Sequence, residues 1–108
     1  MQMVRQGDVL LVPIDSVPED VRPVSPEGGA AVLAHGEVTG HAHVIRDERA
    51  VLVTAAEAEE LYLIVHGVQP VTLAHEEHDP LPVAPGSYRV IRQREYVPGP
   101  VATRRVVD

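Results

Sequence analysis

Prolines and glycines punctuate this chain and leave it with short apolar segments. Ten prolines and eight glycines occur in 108 residues, and the segments between them are rich in Val, Leu and Ile. β-Branched residues favour strands, and no segment has the pattern of a long amphipathic helix. Because the chain has no Phe or Trp and only three Tyr, its core has to be built from small and medium aliphatic side chains. This suits a compact barrel or sandwich.

The apolar segments predict about seven strands. The first begins at Val9 and is ended by Pro13, and the others lie at residues 30–36, 41–46, 50–55, 61–66, 68–74 and 88–97. We therefore predict one all-β domain over residues 1–108, a small barrel or sandwich of about seven short antiparallel strands.

Two segments are predicted to lie outside the strands. Residues 15–29 contain three prolines and two adjacent glycines, which predict a loop. This loop is either a lid or partner-binding segment, or an irregular cover over one end of the domain. Residues 98–108 form a tail that either adds a last short strand or frays.

Composition and charge exclude several classes of protein. The net charge is −7, which opposes binding to nucleic acid, and the absence of cysteine excludes disulfides and thiolate metal sites. The chain has no apolar run of about 18 residues, so no membrane span is expected. Its first residues lack the apolar region of a secretory signal, and we expect a cytoplasmic protein.

Four of the six histidines form two short pairs, which predict a metal site. His41 and His43 are two residues apart on a predicted strand, so both imidazoles point to one face. His75 and His78 are three residues apart, a spacing that also places two side chains together on a tight turn. Imidazole nitrogens are ligands for Zn²⁺, Ni²⁺, Fe²⁺ and Mn²⁺. We predict one divalent transition metal bound by these four residues.

The second pair differs from the metalloprotease motif. H-E-E-H has one residue fewer than H-E-x-x-H, whose histidines bind zinc from adjacent turns of a long helix. Asp79-Pro80 follows at once and would stop a helix. The residues therefore exclude a protease of that type.

Carboxylates near the histidines offer a general base. Glu37 and Glu48 flank the first pair, and Glu76 lies within the second. Four protein ligands would make a structural site, whereas three ligands and a water would make a catalytic one. If the site is catalytic, Glu48 or Glu76 would act as the base on a metal-bound water in a hydrolase.

Residues 36–48 carry a resemblance to a known family. The segment G-E-V-T-G-H-A-H-V-I-R-D-E resembles the first metal-binding motif of the cupins, a glycine followed by H-x-H and then a glutamate. The resemblance implies a cupin-like fold with His41, His43 and Glu48 at metal-ligand positions. It also implies an oxygen-dependent Fe²⁺ reaction, which is the oxygenase alternative to hydrolysis.

The chain as a whole is similar to a family of short uncharacterised bacterial and phage proteins. The shared elements are R-Q-G-D-V-L, G-E-V-T-G-H-A-H, H-E-E-H and P-G-x-Y-x-V-x-x-Q-R-E-Y, which here occupy residues 5–10, 36–43, 75–78 and 85–96. This resemblance implies that the elements belong together, and it implies no reaction.

The rival prediction is a non-enzymatic interaction module. Five of the nine arginines lie in the last fifth of the chain, at positions 89, 92, 94, 104 and 105. This Arg-rich C-terminal strand would dock a protein or RNA partner, and the histidines would then be core or surface residues. In either case the exposed strands of an all-β fold allow a homodimer made by edge pairing.

Overall fold

A computed structural model of the chain describes residues 2–35, 41–55 and 59–93. Ten short strands run through these residues, and all of their pairings are antiparallel. They are β1 (Val4–Gln6), β2 (Val9–Ile14), β3 (Val21–Pro23), β4 (Ala31–His35), β5 (Ala42–Ile45), β6 (Ala50–Ala55), β7 (Leu61–Val65), β8 (Val71–Leu73), β9 (Leu81–Val83) and β10 (Gly86–Arg92). The all-β prediction is confirmed. The described part of the chain has no helix that could span a membrane.

Six of the strands form one open sheet. Their order is β1-β2-β10-β7-β6-β3, with β10 between β2 and β7. Tyr88 of β10 lies opposite Pro13 on one side and Leu63 on the other. In residues 2–35, 41–55 and 59–93 no pairing joins β1 to β3, so these strands do not close into a barrel.

Two hairpins, β4–β5 and β8–β9, pack against this sheet over a shared core. Buried residues from all three sheets form one cluster, in which Leu11, Ile45, Leu63, Leu73 and Val83 have no exposed surface. Burial of such aliphatic side chains drives the packing of the layers, at about 1.5–3 kcal/mol for each large side chain. Tyr88 is the aromatic member of the cluster.

A single backbone bridge joins the two hairpins and positions the site. Val44 of β5 and Ala74, just after β8, exchange N–H···O bonds of 2.9 and 2.8 Å. Their neighbours His43 and His75 are therefore held on adjacent antiparallel segments. The first histidine pair and the second meet here although they are about 30 residues apart in the sequence.

The sequence underestimated the number of strands, because the three strands that it missed are each only three residues long. These are β1, β3 and β9, and three residues are too few to show alternation of apolar and polar side chains. The correction matters most for residues 15–29, which were predicted to be a loop. Val21–Pro23 within that segment pairs with β6 at the edge of the sheet, where a proline is tolerated.

The first predicted strand continues past Pro13, and the last is described only in part. Pro13 was predicted to end the first strand but lies inside β2. The pairing of β1 with β2 ends at Leu11, so β1 has no residue opposite Pro13 that would need a backbone N–H from it. The last strand is observed as far as Arg92. Residues 94–97, the tail at 98–108 and the connection at 36–40 lie outside the described residues.

Candidate functional site

The structure brings together the four histidines that were predicted to bind a metal. The ring centroids lie 4.2 Å apart for His43 and His75, 4.7 Å for His75 and His78, 5.9 Å for His41 and His75, and 6.0 Å for His43 and His78. We call this set the histidine quartet. Only His43 is fully buried, with 4% of its surface exposed.

Gln6 determines which nitrogen of His43 carries a proton. The side-chain amide of Gln6 donates both of its hydrogens to backbone carbonyls, those of Leu73 and Asp79, at 2.9 Å each. Its oxygen, Oε1, therefore faces Nδ1 of His43 at 2.8 Å. Because an amide oxygen is only an acceptor, Nδ1 of His43 has to be the donor. In the neutral ring the lone pair then belongs to Nε2.

The Nε2 atom of His43 faces a carboxylate. It lies 3.2 Å from Oδ1 of Asp8, and the other oxygen of Asp8 accepts a 2.7 Å bond from Nε of Arg92. Burial raises the pKa of Asp8, but the hydrogen bond and charge of Arg92 outweigh it, so the pKa is lowered overall. Asp8 is thus a carboxylate at neutral pH.

The surroundings of His43 favour its neutral form. Burial and the neighbouring His75 and His78 lower its pKa, although Asp8 acts in the opposite direction. A neutral His43 with its proton on Nδ1 presents a lone pair to the Asp8 oxygen. Two acceptors at 3.2 Å repel each other unless a cation or a proton lies with them.

The other histidines differ in how their rings are held. Nδ1 of His41 lies 3.3 Å from Oε2 of Glu77, which is within ion-pair distance. Nδ1 of His75 accepts a 3.0 Å bond from the backbone N–H of Glu77, so its ring proton lies on Nε2. Hence His75 would have to give up that bond or turn its ring before it could bind a metal through Nε2.

Gly7 allows the rings to approach the turn between β1 and β2. It has a positive φ of 59°, and a Cβ at this position would lie 2.7 Å from Nε2 of His78 and 3.2 Å from Cε1 of His43. Any larger residue would therefore push against both rings. The turn between β1 and β2 is part of the wall of the site.

The predicted catalytic carboxylates lie in different places. Glu76 borders a cavity of about 170 Å³ that His75 also lines. Its pKa is lowered by hydrogen bonds from backbone amides, of Glu76 itself and of Ala42, and by the nearby His41 and His75. Glu48 instead lines a separate cavity of about 430 Å³, beside Pro23 and Leu52. Glu37 lies outside the described residues.

Sequence reasoning missed Gln6 and Asp8 as parts of the site. Both lie at the β1–β2 turn, more than 30 residues before His41. The one available signal was the opening R-Q-G-D-V-L, an element of the resemblance described above. Nothing in the local pattern shows that a turn at the start of the chain would contact His43.

The quartet does not stand as a completed metal site. Across residues 2–35, 41–55 and 59–93, no three His, Asp or Glu side chains are arranged so that they could hold an ion as placed. The rings of His43 and His75 are instead tilted by 33° at 4.2 Å, close to stacking. Metal ligation by the quartet therefore stays a prediction.

The arginines of the rival prediction are partly accounted for by ion pairs. Arg89 bonds Glu60 at 2.9 Å, and Arg92 bonds Asp8 at 2.7 Å. These pairs reduce the positive charge that β10 offers to a partner. The remaining three arginines of that group lie outside the described residues.

Comparison with known proteins shows the family and no activity. A family model described as a domain of unknown function, DUF8820, matches residues 5–93, which is most of the chain and includes every site residue described above. The chain therefore belongs to the DUF8820 family. No curated protein and no solved structure matches it.

Proposed function

We propose that this protein binds one divalent transition metal ion at the histidine quartet, with Asp8 as an additional ligand. The observation that carries the proposal is the contact between Nε2 of His43 and Oδ1 of Asp8. When His43 is neutral, a lone pair and a carboxylate oxygen face each other at 3.2 Å, and a cation between them would turn this repulsion into two favourable bonds.

The spacing of the two atoms suits this role. With metal–ligand bonds of about 2.0–2.1 Å, two ligands of a tetrahedral ion are about 3.3 Å apart. The observed distance between the His43 and Asp8 atoms is 3.2 Å. These two side chains therefore need little movement, whereas the rest of the quartet would have to turn towards the ion.

The contacts behind the ligands support the same reading. A histidine that binds a metal usually donates its other ring N–H to an oxygen, which fixes the ring. His43 does so to Gln6 at 2.8 Å, and His41 has Glu77 at 3.3 Å. We rank His41, His43 and Asp8 first among the ligands, His78 next because of its contact with Gly7, and His75 last because its Nδ1 accepts a backbone bond.

The proposal is limited to metal binding. A general base works best when its pKa is near the working pH, and the pKa of Glu76 is lowered below its usual value. Glu76 would thus be a weak base near neutral pH, and Glu48 lines another cavity. Mixed imidazole and carboxylate ligands suit Zn²⁺, Ni²⁺, Fe²⁺ or Mn²⁺.

Metal titration of untagged protein tests the proposal. Chelator-treated protein is titrated with Zn²⁺ or Ni²⁺ by calorimetry, and metal content is checked by elemental analysis. We expect one ion per chain and a higher melting temperature with metal, because an ion that binds only the folded chain stabilises it by about 2.7 kcal/mol at 100 times Kd.

A pair of matched variants locates the ion. Asp8→Asn removes the carboxylate beside His43, while Asp47→Asn makes the same change at a carboxylate that bonds Arg49. We expect Asp8→Asn to weaken metal binding at least about 10- to 100-fold, which is the usual loss when a group that hydrogen-bonds a metal ligand is removed. We expect Asp47→Asn to leave metal binding unchanged. The proposal would be overturned if the native protein bound no metal and ¹⁵N NMR showed that both ring nitrogens of His43 carry a proton. His43 and Asp8 would then form an internal ion pair.

A further inference from the structure

A cavity beside the quartet contains an arginine that makes no ion pair with a described carboxylate. The cavity has a volume of about 170 Å³ and is lined by Ala42, Val44, Arg46, Ala74, His75 and Glu76. Arg46 is exposed, and its guanidinium makes no hydrogen bond or ion pair with any other described residue. Arg49, Arg89 and Arg92, in contrast, each bond a carboxylate.

The backbone explains why these residues share one cavity. Ala42, Val44 and Arg46 alternate along and just beyond β5, so they share one face. The bridge between Val44 and Ala74 places the next segment beside them, with His75 and Glu76 following Ala74. The lining thus combines the apolar side chains of Ala42, Val44 and Ala74 with the polar side chains of Arg46, His75 and Glu76.

We propose that this cavity binds a small organic monoanion whose carboxylate pairs with Arg46 and whose apolar part lies on Ala42, Val44 and Ala74. A guanidinium binds a carboxylate through two parallel hydrogen bonds. The inference rests on the proposed function in one respect: because His75 belongs to both sites, such an anion would lie next to the metal and would be its substrate or co-ligand.

Charge and size limit the ligand further. Arg46 is one positive charge, and the carboxylate of Glu76 lies in the same cavity, so a dianion such as a phosphate monoester would meet excess negative charge. Sites for drug-sized ligands have volumes of about 300–1,000 Å³. The cavity is smaller than this, so it suits an anion of a few carbon atoms.

Titration with propionate tests the inference by NMR. Amide signals of ¹⁵N-labelled protein are followed during titration with sodium propionate and, separately, with neutral propionamide. We expect saturable shifts for residues 42, 44, 74 and 76 with propionate and none with propionamide. Arg46→Gln should weaken propionate binding about tenfold, which corresponds to about 1.4 kcal/mol.

Arg22→Gln is the matched control. Arg22 is also exposed and makes no ion pair with another described residue, but it lies on β3 and does not line this cavity. The Arg22→Gln variant should bind propionate as tightly as the native protein does. Equal weakening in the two variants would indicate a general charge effect and would overturn the inference, as would the absence of saturable shifts.

Repeating the titration with zinc separates the two proposals. Propionate binding that depends on Arg46 in a protein that binds no zinc would support this site and overturn the metal site. Zinc binding without any propionate binding, in either form of the protein, would support the metal site and overturn this one. If both are correct, bound zinc should change the affinity for propionate, since the two sites share His75.

Discussion

Two carboxylates in this protein, Asp47 and Asp8, each accept a hydrogen bond from an arginine but differ in the partners of their other oxygen. Asp47 accepts bonds from the backbone and the guanidinium of Arg49, at 2.9–3.1 Å. Arg49 also donates to the carbonyls of Gln69 and Pro70, which ties the start of β6 to the loop before β8. Every contact in this group joins a donor to an acceptor.

Asp8 is also bonded to an arginine, but its two oxygens have different partners. Arg92 donates to one oxygen, and the backbone of the turn is fixed by a 2.7 Å bond from the N–H of Gln93 to the carbonyl of Asp8. Its second oxygen faces Nε2 of His43, whose pKa is lowered by burial and by the neighbouring His75 and His78. The arginine–carboxylate pair at Asp47 completes its own contacts, whereas the Asp8–His43 contact is the one at which we propose a cation.

Removing the support of His43 should have the largest effect on stability. Gln6→Leu leaves the carbonyls of Leu73 and Asp79 and Nδ1 of His43 without their partner. The carbonyl of Leu73 and Nδ1 of His43 are buried, and each buried polar group left unsatisfied costs about 1–3 kcal/mol, so we expect a loss of about 2 kcal/mol or more. Urea denaturation in the presence of chelator measures this loss without any contribution from metal.

Arg49→Leu is the corresponding change in the region of Asp47. Its partners Gln69 and Pro70 are exposed, so water can replace the lost bonds, and the decrease in the free energy of unfolding should be much smaller. A loss for Arg49→Leu as large as that for Gln6→Leu would contradict the distinction between the two regions.

Gly7→Ala should have an intermediate effect and should act on the rings. The new Cβ meets His78 at 2.7 Å, and an alanine with positive φ adds about 1–2 kcal/mol of backbone strain. Gly28→Ala has nearly the same φ, 60°, and nothing within 4 Å, so it carries the strain alone. We expect Gly7→Ala to be the less stable of the two, to shift the NMR signals of His78 and His43, and to bind metal less tightly. Equal stability with unchanged ring signals would show that the rings do not pack on this turn.

Acid should remove the contribution of Asp47 in a defined pH range, and this is the smallest expected effect. Hydrogen bonds from the side chain and backbone of Arg49 lower the pKa of Asp47 from 3.8 to about 2. The unfolded chain therefore takes up this proton first as the pH falls, so the stabilisation is complete above about pH 5 and is lost towards pH 2. The melting-temperature difference between native protein and Asp47→Asn should shrink over that range. A difference that is independent of pH would contradict the ion pair.

Much of the fold could be predicted because its cause is local. Runs such as V-L-L-V at residues 9–12 and L-Y-L-I-V at 61–65 have high strand propensity, and both are strands. The strands that could not be predicted, β1, β3 and β9, form because a neighbouring strand offers a free edge, and three residues carry no pattern of their own.

The site could be predicted only in part, because only some of its contacts depend on residues that are neighbours in the sequence. The spacing of His41 and His43 follows from the alternation of a strand, so their relation was readable in advance. The contact between His43 and His75 depends on the backbone bridge between Val44 and Ala74. The placement of Glu48 in another cavity also follows from packing, since it lies on a turn beyond β5 and not on the strand.

The sequence by itself determined the strand content, the aliphatic core and the two histidine pairs, because each follows from neighbouring residues and their period. Only the tertiary structure decided that the turn holding Gln6, Gly7 and Asp8 would close against His43 and fix its proton on Nδ1. That outcome depends on hydrogen bonds between segments far apart in the sequence, 73 positions for Gln6 and Asp79 and 84 for Asp8 and Arg92. Such bonds form only when the layers pack and exclude water, and no local pattern records them.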